Sequence, residues 1–213
     1  MQAYLYYESY TSPSKPTLTF SDNSTHKDIK RNDSTTLKIN APDNGNNNPI
    51  KTCRIFYNTK NSVDTSKYFD LSAGTTSATI KNSELGNLNK GQTLYLFCQS
   101  IGTASGFNSD YSTSINYTVI NSAPSAPNFT TTGTIRGDGT STDIKINKIT
   151  CDDINGDDLK FYFKLSSTSS VEASSSGWTE LSSSGRTVQM TKTNSYIAIK
   201  ANDGTVDGSV TTT

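Results

Sequence analysis

The densest group of side chains able to do chemistry is Asp152, Asp153, Asn155, Asp157 and Asp158, within the run CDDINGDDLKFYFKL from Cys151 to Leu165. Oxygen ligands one and two residues apart can wrap a calcium ion, which takes about six to eight of them. Gly156 comes one place too early for a helix–loop–helix calcium loop, however, and the acidic final ligand is absent. The segment therefore reads as a turn in which Asn155-Gly156 supplies the left-handed residues, and no metal is expected. Nucleophilic catalysis needs a base beside the nucleophile. The single histidine, His26, falls in the polar stretch SDNSTHKD, where no apolar strand is expected to fix it. There is no phosphate-binding Gly-Lys-Ser/Thr loop, no Cys-x-x-Cys and no His-x-x-x-His. The expectation is a protein without catalytic residues or cofactor.

Three cysteines cannot all pair within one chain. Cys53 and Cys98 fall on strands expected to be neighbours, so a disulfide between them is conceivable, whereas Cys151 is left over. Small buried thiols are the simpler reading.

What must position these groups is legible in the hydropathy pattern. In Leu159–Leu165, Leu159, Phe161, Phe163 and Leu165 alternate with Lys160, Tyr162 and Lys164, the period of a half-buried strand. The same short alternating runs, separated by turn residues every 8 to 12 positions, continue along all 213 residues. About three residues in ten are Ser or Thr, but 11 Tyr and 8 Phe within alternating runs argue against disorder. The length suits two modules of about 100 residues each. Nineteen basic residues balance nineteen acidic ones, so no electrostatic footprint for nucleic acid or an anionic membrane is expected. No apolar run approaches membrane-spanning length. MQAYLYYESY has neither a basic nor an apolar leader region, so no secretion signal is expected.

Residues 1–14 form an aromatic arm, with Tyr4, Tyr6, Tyr7 and Tyr10 around Leu5. Such a run serves either as an extra edge strand on its own domain or as an anchor that adds a strand to another subunit. Residues 15–119 make a first sandwich and residues 128–213 a second, joined by a Pro-containing linker at 120–127. Strand positions are expected at Leu18–Phe20, Leu37–Ile39, Ile50–Asn58, Tyr68–Leu71, Ser77–Ile80, Gln92–Ile101 and Ser112–Val119. In the second half they fall near Phe129 and at Asp143–Ile149, Leu159–Ser166, Trp178–Leu181, Arg186–Lys192, Tyr196–Ala201 and Ser209–Thr213.

The turn Asp153-Ile-Asn-Gly-Asp-Asp-Leu159, the linker Ser-Ala-Pro-Ser-Ala-Pro at 122–127 and the stretch Tyr196–Asp203 resemble tandem fibronectin type III or immunoglobulin-like modules of phage virion proteins and bacterial surface proteins. The resemblance implies an all-β fold of two β-sandwiches after an extended arm. Two departures stand out. The Tyr that usually opens strand F falls at Leu94, or one place late at Tyr95, and the Trp usual on strand B falls near Lys148 or Ile149, the only Trp being Trp178. Arg136-Gly137-Asp138 is the tripeptide read by integrins, but it falls in the A to B loop, not in the F to G loop where the family's adhesive copy lies. Four Asn-x-Ser/Thr sequons, at Asn23, Asn32, Asn116 and Asn128, follow from composition.

If Cys53, Ile55 and Tyr57 face inward with Leu94, Leu96 and Cys98, then Phe56, Tyr95 and Phe97 point outward on adjacent strands. That row either steadies the sheet by cross-strand packing or forms an exposed aromatic patch for protein or sugar. With the arm residues Tyr4, Leu5, Tyr6, Tyr7 and Tyr10 it makes up the expected partner-binding set. The expectation is a non-catalytic virion structural or decoration protein of a phage, on capsid or tail, assembled in the host cytoplasm. It would be anchored by arm and first module, with the second module projecting and outward loops touching a host-surface glycan weakly. Its partners would be other virion proteins or further copies of itself. The rival reading is a bacterial surface adhesin or the spacer of a secreted glycan-degrading enzyme.

Overall fold

The computed structural model describes residues 9–42, 47–135 and 141–213. The chain divides into two compact units, Met1–Asn121 and Ser122–Thr213. Each is all-β and each builds its own core.

The first unit contains β1 (Thr17–Phe20), β2 (His26–Lys30), β3 (Ser34–Asn40), β4 (Ile50–Asn58), β5 (Tyr68–Ser72), β6 (Ser77–Lys81), β7 (Thr93–Gly102) and β8 (Ile115–Ile120). They pair as a three-stranded sheet, β1-β3-β6, and a five-stranded one, β2-β8-β7-β4-β5. This is an immunoglobulin-like sandwich. The alternation seen in the sequence drives it: Leu37 and Ile39 of β3, Ile55 of β4 and Leu94 and Leu96 of β7 are almost wholly buried in one shared cluster. Each such side chain contributes about 1.5–3 kcal/mol by leaving water.

One strand escaped the sequence reading. His26–Lys30 is a strand, β2, pairing in parallel with β8 so that His26 lies opposite Asn116 and Ile29 opposite Val119. Ile29 is its only core residue, and a single apolar side chain gives no period to detect. His26 is therefore not in a free loop. Its Nδ1 lies 2.6 Å from Asn116 Oδ1 and its Nε2 3.3 Å from Asp28.

The expected corner at the entry to strand F is built with different residues. Leu94 is buried in the core, and the phenol comes from Tyr117 on β8, whose hydroxyl donates to Asn82 Oδ1 at 3.3 Å. Asn82, in the 3-10 turn Asn82–Glu84, is 1 % exposed. Its Nδ2 donates to Leu88 O and Arg31 O, and its Oδ1 accepts from Leu88 N–H. Burial pushes the Tyr117 phenol well above its usual range, so it remains a donor.

The second unit contains β9 (Thr131–Ile135), β10 (Ser141–Ile146), β11 (Lys160–Ser166), β12 (Thr179–Leu181), β13 (Arg186–Thr191), β14 (Tyr196–Asn202) and β15 (Thr211–Thr212). Its sheets are β13-β10-β9 and β12-β11-β14-β15, the order of a fibronectin type III-like sandwich. Phe161 and Phe163 of β11 pack with Ile146, Ile197, Ile199 and Ala201. With no Trp on β10, Ile149, 3 % exposed, fills the core just beyond the strand's end.

The proline-containing stretch is bonded into the second unit rather than running free. Ser122 N–H donates to Asn155 Oδ1, Ser125 N–H to Asp152 O, and the Cys151 thiol to Ser125 O. Gly208 lies so close that a Cβ there would stand 2.6 Å from Pro124 O. Arg136, Gly137 and Asp138 lie outside the described residues.

Candidate interaction surface

The register of β4 against β7 and β5 lays residues in rows across the outer face of the five-stranded sheet. Tyr68, Phe56 and Phe97 are directly opposite one another, and so are Asp70, Arg54 and Gln99. A third row runs Asn58, Tyr95, Asn116 and His26 across four strands. Phe56, Tyr95 and Phe97 thus lie on the side away from the core, which takes Cys53, Ile55, Leu94, Leu96 and Cys98.

The expectation of an open aromatic patch is corrected at two of these three residues. Phe56 is 3 % exposed and Phe97 8 %. The reason is cross-strand and loop packing. Tyr111, from the β7–β8 connection, sets its ring edge-on to Phe56 at 5.3 Å, and Tyr68 stacks tilted at 5.8 Å. Tyr95 is half-buried. The ring that meets solvent is Tyr68, 43 % exposed. It carries the Arg54 guanidinium 3.9 Å from its centroid, and Arg54 also makes a two-pronged bond to Asp70 at 2.7 and 2.8 Å. Those bonds hold the Asp70 carboxyl below the usual carboxylate range.

Of the arm's aromatic residues, Tyr4, Leu5, Tyr6 and Tyr7 lie outside the described residues. Tyr10 is half-buried, its ring 5.8 Å from that of Phe107. The root of the arm is fixed by two asparagines of the β3–β4 connection. Asn47 Nδ2 donates to Ser9 O at 2.7 Å. Asn48, 1 % exposed, donates to Thr11 O and Phe107 O and accepts from Ala104 N–H at 2.7 Å. Pro13 and Pro16 are buried. Hydropathy gives no signal for a buried asparagine between two loops. Asn48→Ala would leave two carbonyls and one N–H short of a partner, which costs about 2–3 kcal/mol. The expected result is a lower urea midpoint for the first unit and faster chymotryptic cleavage at Tyr10 in the native protein.

The cysteines are free thiols. Cys53 and Cys98 are buried on β4 and β7, offset diagonally, since Cys53 faces Ser100 and Cys98 faces Ile55. A hydrogen bond with Cys53, added to burial, raises the Cys98 thiol and keeps it protonated.

In the second unit the acidic turn gains a member, Asp203, from just beyond the end of β14. Ligand oxygens of Asp153, Asp157 and Asp203 all lie within 4.8 Å of one another. Their protein contacts already organise the loops. Asp153 Oδ1 accepts from the N–H groups of Asn155 and Asp157, and Asp203 Oδ1 from those of Thr205 and Val206.

On the outer face of β11 and β14, the buried Lys200 ammonium donates to Ala173 O and Asp207 Oδ2, both at 2.7 Å, and lies 4.9 Å from the Trp178 ring. Burial tends to raise the Asp207 carboxyl, but bonds from Lys200 and Asn202 outweigh it and the net shift is downward. A carboxylate lowered by folding adds stability above its unfolded pKa, near about 4, and loses it as pH falls through the folded value. Asp207→Asn is therefore expected to cost about 2 kcal/mol at neutral pH. It should also flatten the acid limb of the second unit's stability curve, as read by urea titrations at pH 7 and pH 3.

No family model matches the chain, and no curated protein matches it. Among solved structures, the human OSCAR ligand-binding domain is similar with a TM-score of 0.34 and 12% identity, over 94% of this chain and 98% of that one. The FN1–FN3 domains of chicken CNTN1 are similar with a TM-score of 0.35 and 15% identity, over 94% of this chain and 65% of theirs.

Proposed function

We propose that the protein is a non-catalytic structural or decoration protein of a phage virion, carried on capsid or tail and held there by its aromatic arm and first module. The observation that carries this reading is the fixed root of the arm. Asn47 and Asn48 bind Ser9 O and Thr11 O, and Tyr10 packs on Phe107, so the tyrosine-rich segment before Ser9 starts from a defined point on the sandwich. A segment of four closely spaced large apolar and aromatic side chains gains most when another protein covers it. The phage assignment rests on the resemblance of the Asp153–Leu159 turn and the 122–127 linker to modules of such particles. Partners are then other virion proteins or further copies of this chain, with no nucleic acid, membrane or cofactor. The test is mass spectrometry and immunogold labelling of gradient-purified phage particles from the cells that encode the protein. Labelled particles support the reading, and particles free of the protein overturn it.

A second reading, a bacterial surface adhesin, has one observation in its favour. Tyr68 offers an exposed ring beside the Arg54–Asp70 pair, an arrangement suited to a sugar that stacks and hydrogen-bonds. Binding to a glycan array that is lost in Tyr68→Ala would favour it.

A further inference from the structure

Among the described residues, the two sheets of the first unit end on one side in strands with an unpaired edge, β5 and β6. Between them runs an apolar groove of about 400 Å³, lined by Tyr57, Phe69, Leu71, Ala78, Ile80 and Leu85. It continues past the shared residues Tyr57 and Leu85 into a second hollow of about 320 Å³ that reaches Asn58, Leu88 and Gln92. Phe69, Leu71 and Ala78 pack on the core yet stay only partly buried. Two open strand edges flanking a partly exposed apolar row form a template for one more strand.

We propose that this groove receives residues 1–8 of a second copy of the chain, and that the protein self-associates by exchanging its aromatic arm. The inference rests on the anchoring role given to the arm above and names its acceptor. The occupant follows from chemistry and reach. MQAYLYYE alternates large side chains in the manner of a strand, which would direct Tyr4 and Tyr6 to one side and Leu5 and Tyr7 to the other. The chain's own arm can reach the upper part of the groove, at Leu71 and Phe69 opposite Cys53 and Ile55, but is too short to fill both hollows. Eight extended residues span at most about 27 Å. They start at Ser9, which is bound to Asn47, ahead of the first residue of β4. The lower hollow lies at Asn58, the last residue of β4, about 26 Å along that strand from its first residue. Only the tip of the chain's own arm would arrive there, with nothing left to pair. A second copy has no such limit.

Light scattering on four proteins tests this: the full chain, a chain lacking residues 1–8, and full-length Leu71→Arg and Thr79→Arg. Thr79 lies exposed at the rim of the groove, outside the core, its hydroxyl 3.4 Å from that of Thr36 on β3, so its substitution is expected to leave the core in place. The full chain is expected at twice the monomer mass or more, and each altered chain at monomer mass. Mixing the truncated chain, which keeps the groove, with Thr79→Arg, which keeps the arm, is expected to restore association. A synthetic MQAYLYYES peptide should bind the truncated chain and not Thr79→Arg. A monomeric full chain at hundreds of micromolar, a truncated chain that still associates, or wild-type association of Thr79→Arg each overturns the proposal. If the full chain is monomeric yet still sediments with phage particles through residues 1–8, the groove assignment fails while the anchoring role stands. If it self-associates but ignores particles, the reverse holds.

Discussion

Asn82→Ala is expected to be the most damaging single change in the first unit, lowering its stability by about 3–5 kcal/mol. Asn82 is buried and serves four groups at once: the N–H and carbonyl of Leu88, the carbonyl of Arg31 and the hydroxyl of Tyr117. Removing the carboxamide takes the partner from both Leu88 groups and the Tyr117 hydroxyl in a buried region and from the part-buried Arg31 carbonyl, and each unpaired buried group costs about 1–3 kcal/mol before relaxation. A domain of this size has only about 5–15 kcal/mol to lose. Tyr117→Phe is the matched control, since it removes one hydroxyl and leaves the other three bonds in place. It should cost about 1 kcal/mol. Urea titration followed by far-ultraviolet circular dichroism would read both, and a loss below about 1 kcal/mol for Asn82→Ala would show that the corner is held elsewhere.

In the second unit the largest effect is expected from Gly185→Ala. Gly185 has φ of +84°, the left-handed region, and lies in the turn between β12 and β13, where its N–H donates to Ser182 O at 2.8 Å. A Cβ there would overlap the carbonyl oxygen of Ile146 and stand 2.8 Å from that of Asn147. Both obstacles are backbone at the end of β10, so neither can swing aside. A left-handed alanine costs about 1–2 kcal/mol by itself, and forcing the strand away adds about 1–3 kcal/mol. Gly204 separates the two contributions. Its φ is +90°, but nothing lies within 4 Å of its would-be Cβ, so Gly204→Ala should show the conformational cost alone. Because the units have separate cores, Gly185→Ala should lower one transition and leave that of the first unit in place.

How much of this was legible in the sequence varies with the kind of residue. Several strands with alternating apolar side chains could be read to within a residue, while Ile115–Ile120 and Ser141–Ile146 depart from the expected bounds by up to three. Ile50–Asn58 has the expected bounds, and Lys160–Ser166 and Tyr196–Asn202 differ from them by one residue. The period of two is enforced by burial on one face, and it also set which way Phe56 and Phe97 point. Pointing away from the core is not the same as meeting water. Coverage by Tyr111 and Tyr68 comes from a loop and a neighbouring strand, and alternation along one strand carries no information about either. Strand β2 was missed because Ile29 alone faces the core and its partner β8 is nearly 90 residues away in sequence. The asparagines that hold the corner and the arm were missed for a related reason. Asn48 and Asn82 are polar residues in polar surroundings of the sequence, and what makes them important is the set of backbone groups that folding brings to them. Asp203 joins the acidic turn in the same way, across a gap that no local spacing reveals.

The claim on which the functional account turns is that residues 1–8 are an anchor. Its most direct measurement is co-sedimentation of the full chain, and of a chain lacking those eight residues, with gradient-purified phage particles of the encoding cells. The account predicts that the full chain pellets with particles while the truncated chain, folded and with an unchanged urea midpoint, stays in the supernatant. Equal recovery of both chains with the particles, or of neither, would contradict it.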